Sequence, residues 1–220
     1  EEARVIAEEV EAAQTQGGRL NETAILVRAG FQTREFEDRF NKLGIPHKII
    51  GGQRFYERAE IRDALAYLRI VMQPMDDLAL ERIINTPKRA IGDATVQTLY
   101  AYARARSITL NDSILDITQT DELRPKVKAT LMKFMDDMNR WRGLIDDMHH
   151  AELAAMILEE SGYLDMWKMD KSPDAPGRLD NLKELVTAMQ DYDSLQEFLE
   201  HVALVLENQN TNDGEFVSVM

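Results

Sequence analysis

One short stretch has the residue types and spacing to bind an anion, Asn85-Thr86-Pro87-Lys88-Arg89-Ala90-Ile91-Gly92-Asp93-Ala94-Thr95. A helical pattern ends before it and another begins after it. Ile91 is one apolar residue in a polar turn, so it can peg the turn to the two helices. Gly92 permits a close backbone approach or positive φ. The first N–H groups of the following helix lack helical acceptors, and a phosphate oxygen can take them. Lys88 and Arg89 supply charge and Thr95 a hydroxyl. This is how a helix–hairpin–helix element grips duplex backbone without reading bases. The plainer reading is a helix-to-helix turn capped by Asp93.

A second dense stretch is Gly51-Gly52-Gln53-Arg54-Phe55-Tyr56-Glu57-Arg58-Ala59-Glu60-Ile61-Arg62-Asp63. Phe55 and Tyr56 are expected to anchor it to a core. Arg54 and Arg58 either meet nucleic acid or pair with Glu57, Glu60 and Asp63. Catalytic signatures are missing: no Gly-rich loop ends in Gly-Lys-Ser or Gly-Lys-Thr, and there is no His-Glu-x-x-His and no serine nucleophile elbow. His149 and His150 are adjacent, so on a helix they point about 100° apart and do not form a metal pair. The absence of cysteine excludes disulfides, thiolate nucleophiles and Cys-ligated metals. No catalytic residue, metal site or cofactor is expected in this chain.

The net charge of −13 argues against a polyanion, but its distribution does not. Residues 1–106 hold 16 basic and 16 acidic side chains, while residues 107–220 hold 10 basic against 23 acidic. Residues 82–106 hold five basic residues and one acid. Distant carboxylates are screened within about 8 Å at physiological salt, so a local basic site survives. No apolar run approaches the roughly 18–20 residues of a membrane span.

The elements that must position these residues fall into two grammars. Near the start, a helix over Glu2–Ala13 with Val5, Ile6 and Val10 on one side ends at Gly17-Gly18. A strand over Ala24–Val27 follows, then a helix with Phe36, Phe40 and Leu43, a C-cap at Gly44, and an extended run from His47 to Ile50. Glu215–Met220 reads as another strand, after a loop over Asn210–Gly214. Both chain ends therefore belong to one α/β domain, and the long middle is an insertion into it. The middle is helical: Glu60–Met72, stopped by Pro74; a helix capped by Asp76 or Asp77; one carrying Val96, Leu99, Tyr100 and Ala103; and Arg124–Met148, crossed by Gly143. Ala151–Glu160 follows, then a loop over Lys171–Gly177, a helix marked by Leu179, Leu182, Leu185, Val186 and Met189, and a last one marked by Leu195, Phe198, Leu199, Val202 and Leu206. The fold class is mainly α: a helical subdomain inserted in, and flanked by, fragments of an α/β domain. The expected division is 1–52, 53–208 and 209–220. Opening Glu1-Glu2-Ala3-Arg4 in a helical run and closing in a strand, the chain reads as cut from something longer.

With these residues in view, the chain resembles the superfamily 1 DNA helicases of the UvrD/PcrA/Rep group along essentially its whole length. Ala24-Ile25-Leu26-Val27-Arg28 and Gln32-Thr33-Arg34-Glu35-Phe36-Glu37 are similar to a strand and helix of the second RecA-like domain, 2A. Gly44-Ile45-Pro46 and the run from Gly51 to Arg69 are similar to the start of the accessory 2B subdomain. Asp76-Asp77, Glu81–Pro87, Ser161-Gly162-Tyr163 and Arg178–Leu185 are similar to its later parts.

The resemblance implies a fold of 2B inserted in 2A fragments, with 209–220 as the return strand. The family's Thr-Pro-x-Arg-Gly-Ile-Gly stretch contacts duplex ahead of the fork. It falls here on Thr86, Pro87, Arg89, Ala90, Ile91 and Gly92, with Lys88 between and Thr95 following; Arg28, Arg54 and Arg58 are further candidates. Ala90 stands where the family usually has glycine, which costs the loop something if φ is positive and nothing if it is negative. The implied parent is a bacterial, cytoplasmic, ATP-dependent 3′-5′ helicase of DNA repair, using ATP and Mg²⁺ on motifs absent from this chain, which alone is expected to hydrolyse no ATP. Implied partners are duplex or fork DNA, the parent's other domains, and repair or transcription proteins, with no membrane. An alternative role is a protein-interaction or autoinhibitory module with little DNA affinity. The crossings near Gly51-Gly52 and Asn208–Asn212 are expected to hinge.

Overall fold

The computed structural model describes residues 2–50, 54–207 and 215–220. The crossings and loop expected at Gly51-Gly52, Asn208–Asn212 and Asn210–Gly214 thus lie outside the described residues. The chain divides into two compact units, one of Glu1–Ile61 with Glu200–Met220 and one of Arg62–Leu199. Among the described residues no helix is long and apolar enough to cross a membrane.

The first unit holds helices α1 (Glu2–Thr15) and α2 (Thr33–Leu43) and strands β1 (Ala24–Ile25), β2 (His47–Ile49) and β3 (Val217–Val219). The strands form one parallel sheet in the order β1-β3-β2, with Ile25 and Ile49 both in register with Val219. The strand that comes last in the chain therefore lies in the middle. Parallel neighbours need a long crossover, and here the crossover from β2 to β3 contains the entire helical insertion. The core joins Ala3, Ala7 and Val10 of α1 to Phe36 and Phe40 of α2, and to Ile25, Val217 and Val219. Val10 is buried and Ile6 packs against this core, as expected of α1, but Val5 does not join them. Val5 is 41% exposed, because it lies about 200° round the helix from Ala3. Two small alanines let α1 pack closely. Gly44 ends α2 at φ 69°, a left-handed C-cap. The apolar run at Ala24–Val27 pairs as strand over two residues only, and Leu26 is exposed.

Inside this unit Glu37 is buried. Its carboxylate accepts from the Thr33 hydroxyl at 2.8 Å and from the Phe55 N–H at 3.2 Å. Burial pushes its pKa up to about 7, against the opposing pull of those two donors and of Arg58. Asp38 pairs with Arg34 at 2.9 Å and meets the His201 ring at 3.3 Å.

The second unit is helical. It takes up α3 (Ala59–Met72) from Arg62 onward, then α4 (Asp77–Ile83), α5 (Asp93–Arg106), α6 (Leu110–Ile117), α7 (Pro125–Arg142), α8 (His150–Glu160), α9 (Tyr163–Met169) and α10 (Ala175–Met189), and the start of α11 (Leu195–Glu207). α3 is buried nearly all round, through Leu65, Tyr67, Leu68, Ile70 and Val71, which marks it as a central helix. Asp76 caps α4 by accepting from the Ala79 N–H. α7 ends at Gly143 rather than running on to Met148, since glycine in the last turn removes the propensity to continue. α10 starts at Ala175 and takes Pro176 and Gly177 into its first turn, where proline is pre-organised; the expected loop is correspondingly shorter. In α11 Leu195, Phe198 and Val202 are buried as expected, while Leu206 is 37% exposed and Val205 is buried instead. Two short helices, α6 and α9, carry too few turns for their periodicity to be legible in sequence.

Candidate nucleic-acid interface

The turn between α4 and α5 is fixed by its own side chains before any ligand is considered. The Asn85 amide oxygen accepts from the backbone N–H groups of Arg89, at 2.8 Å, and Ile91, at 3.3 Å. Asparagine in turns does this readily, since its short amide mimics a backbone carbonyl. Ile91 is 1% exposed and pegs the turn into the core. The Thr86–Pro87 peptide is cis. Thr86, Pro87 and Thr95 are partly buried, while Lys88, Ala90 and Gly92 are exposed.

Arg89 is turned inward. Its Nη1 donates to the carbonyls of Ile83 at 2.9 Å and Pro87 at 3.2 Å, and its Nη2 donates to the Tyr67 hydroxyl and to the Ser161 carbonyl at 3.2 Å. The guanidinium also lies 4.9 Å from the Phe134 ring centre, within cation–π range. The Tyr67 hydroxyl in turn donates to the Thr86 carbonyl. Below this, Asp63 joins Arg82 at 2.6 Å and the Tyr163 hydroxyl at 2.9 Å. The fork of Arg89 thus binds the turn to α3, α7 and the end of α8. Lys88 is the cation the turn sends outward, and among the described residues it has no ion-pair partner.

Ala90 has φ 60°, so the position does require the left-handed region. Gly92 has φ −81° and ψ 170°, and nothing lies within 4 Å of a Cβ added to it. The freedom expected of Gly92 is therefore needed earlier in the turn, at Ala90. Gly92 is the N-cap of α5, which displaces Asp93 from that role to the first helical position. The Gly92 carbonyl accepts from the N–H groups of Thr95 and Val96. The N–H groups of Asp93 and Ala94 remain at the open helix start. Asp93 is exposed at the first helical position, and its negative charge there opposes an approaching anion.

Beside the turn lies an open cleft of about 470 Å³, lined by Arg89 and Ser161, by Lys126, Thr130 and Lys133 of α7, and by Trp141 and Glu160. Glu160 is occupied: it accepts from the Trp141 indole and from Arg140, each at 2.7 Å, and these contacts hold its pKa down. The sequence reading named Asn85 without a role and missed the roles of Tyr67 and the α7 lysines. The first had a signal, an asparagine four residues before the arginine. The lysines had one too, at i and i+7 on a helix in the acidic half.

The remaining candidates belong to the first unit. Arg28 is exposed. Arg54 is partly buried, and its charge helps depress the pKa of His47, whose burial is the larger cause. Arg58 donates to the Gly30 carbonyl at 2.7 Å, and the charges of Glu37 and Glu60 act on it. The buried His150 has its Nε2 2.6 Å from the Met189 carbonyl and stacks on His149, which suits packing rather than ligation. Among the described residues no group of three or more His, Asp or Glu comes together to hold a metal, so none is assigned to Mg²⁺.

Residues 1–220 match the UvrD-like helicase C-terminal domain. The chain belongs to that family. This UvrD-like chain is 42% identical over 224 residues to a probable DNA helicase II homolog of Rickettsia felis, covering 100% of the chain and 34% of the relative. It is 35% identical over 213 residues to DNA helicase II of Escherichia coli, covering 93% and 30%. To the ATP-dependent DNA helicase PcrA of Staphylococcus epidermidis it is 32% identical over 228 residues, covering 100% and 31%. The UvrD-like chain therefore spans about a third of the length of these relatives.

Proposed function

We propose that this chain is the accessory module, 2B with flanking pieces of 2A, of a bacterial ATP-dependent 3′-5′ DNA helicase, and that its α4–α5 turn holds duplex backbone and so regulates unwinding. The observation that carries the reading is a turn stiffened from within by Asn85, Arg89 and Ile91 while it offers Lys88 and an open helix start to solvent. A rigid turn with an outward cation suits phosphate contact, and backbone contact carries no base code. ATP and Mg²⁺ would act on the parent's other domains. The cytoplasm is the compartment that fits a DNA repair helicase.

The division of labour in the turn decides how to test this. Arg89 is committed to carbonyls and Asp93 opposes an anion at the helix start, so the phosphate contact falls to Lys88. A fluorescent duplex with a single-strand tail, titrated at rising salt, should bind weakly, in the ~10⁻⁴–10⁻⁶ M range of nonspecific complexes. Lys88→Glu should weaken binding, lower its salt dependence and leave the melting temperature unchanged. Unaltered DNA binding by Lys88→Glu would overturn the reading. The acidic balance of residues 107–220, 10 basic against 23 acidic, favours a second role in docking a basic protein partner.

A further inference from the structure

The acidic half of the chain does not spread its few cations evenly. Of the 10 basic residues in 107–220, six fall within 124–142: Arg124, Lys126, Lys128, Lys133, Arg140 and Arg142. Only two acids, Asp136 and Asp137, share that stretch. It is almost entirely α7, the helix that forms one wall of the cleft beside the turn. Several of these cations are already committed. Lys128 meets Asp121 at 3.5 Å, Arg140 meets Glu160, and Arg142 donates to the Val71 carbonyl at 3.1 Å. Lys126 and Lys133 are exposed, line the cleft, and have no ion-pair partner among the described residues. Two acids line the same cleft, Asp137 and Glu160, and they share one partner, Arg140. With Arg89, Lys126 and Lys133 against Asp137 and Glu160, the cleft lining carries a net positive charge, and its two exposed lysines lie on α7.

We propose that Lys126 and Lys133 form a second phosphate-contact line, which carries the duplex backbone from the α4–α5 turn onto α7. The proposal rests on the hairpin reading above for the identity of the nucleic acid. Seven residues bring the two lysines back to one face of the helix and about 10.5 Å apart along its axis. Phosphates of one strand rise only about 3.4 Å each along the duplex axis, so lysines at this separation can meet different phosphates. The Thr130 hydroxyl between them donates to the Lys126 carbonyl at 3.0 Å, so the lysines carry the contact. Lysine suits it: a mobile point charge follows a backbone without demanding one geometry. Arg89 ties the two contact points together, because its guanidinium is bonded within the turn and lies against Phe134 of α7. The turn and the lysine stripe are thus held as one surface.

The experiment is a salt series of duplex binding by fluorescence anisotropy. It compares the full chain with Lys88→Ala and with the double variant Lys126→Ala/Lys133→Ala, each checked for an unchanged thermal melt. All three changes are at exposed positions, so the fold should hold. The double variant should lower the slope of log K against log salt by about 2, and Lys88→Ala by about 1, at roughly 0.9 per lost phosphate contact. At low salt the double variant should bind about tenfold or more weakly. A Lys88 effect with no effect at α7 overturns this proposal and leaves the hairpin reading standing. An α7 effect with no effect at Lys88 overturns the hairpin reading and keeps the lysine line. Weaker binding by the double variant with an unchanged slope also overturns the proposal, because the lysines would then not be meeting phosphate.

Discussion

Ala90→Gly should stabilise the helical unit, against the usual direction for adding glycine. Ala90 has φ 60° and its side chain faces solvent, so the methyl group contributes no packing. The residue cannot relax to negative φ on its own, because the N–H groups on either side, of Arg89 and Ile91, are both held by the Asn85 oxygen. An L-residue in the left-handed region costs about 1–2 kcal/mol. Glycine removes that cost but adds about 0.4–1 kcal/mol of unfolded-state entropy. The difference is a net gain of about 0.5–1 kcal/mol, or about 1–4 °C in Tm for a chain of this size. Urea unfolding followed by circular dichroism should show a higher midpoint at an unchanged slope. Placing the same change in an Asn85→Ala background should shrink the gain, since the loop could then relax. A lower midpoint for Ala90→Gly would refute the strain argument and with it the tie between Asn85 and the turn.

Arg89→Ala should cost about 2–4 kcal/mol by stranding several carbonyls and the Tyr67 hydroxyl, and Arg89→Lys should recover little, because lysine lacks the planar fork; thermal melts check both. Tyr67→Phe should lower stability by about 1–2 kcal/mol through the loss of the Thr86 and Arg89 contacts, measured the same way. Glu37 gives a pH prediction for the α/β unit. Its folded pKa of about 7 lies above the ordinary value of 4.5, so between those values the native state binds more protons than the unfolded one. Stability from this group is present below about 4.5 and falls as pH rises to about 7, by roughly 3 kcal/mol in all. Glu37→Gln should flatten that slope in urea melts at pH 5, 6 and 7.5, and an unchanged slope would show that another group carries it.

Periodicity, caps and breakers gave the sequence most of its legible structure, because each is a local property. Phe36 and Phe40 one turn apart, Gly44 at positive φ, Asp76 as an N-cap and Pro74 after α3 all act within a turn of their own position. The return of the last strand to the first sheet was legible too, since a chain that opens and closes in α/β grammar must bury both ends together. What local pattern could not decide was direction. Arg89 and Lys88 are adjacent cations of the same class, yet one points into a cage of carbonyls and the other into solvent. The cage is built by residues 22 positions before and 72 after Arg89, which no window of sequence brings together. The α1 face went the same way: Val5 is the more apolar residue, but Ala3 and Ala7 fit the space that α2 and the sheet leave. Whether Ala90 was costly depended on one dihedral angle, fixed by the reach of Asn85 across the turn. Residue type and spacing determined which helices and strands form and which turn carries two adjacent cations. Only tertiary packing determined which of those cations faces solvent, because a guanidinium surrounded by carbonyl acceptors is held by the fold before a ligand arrives.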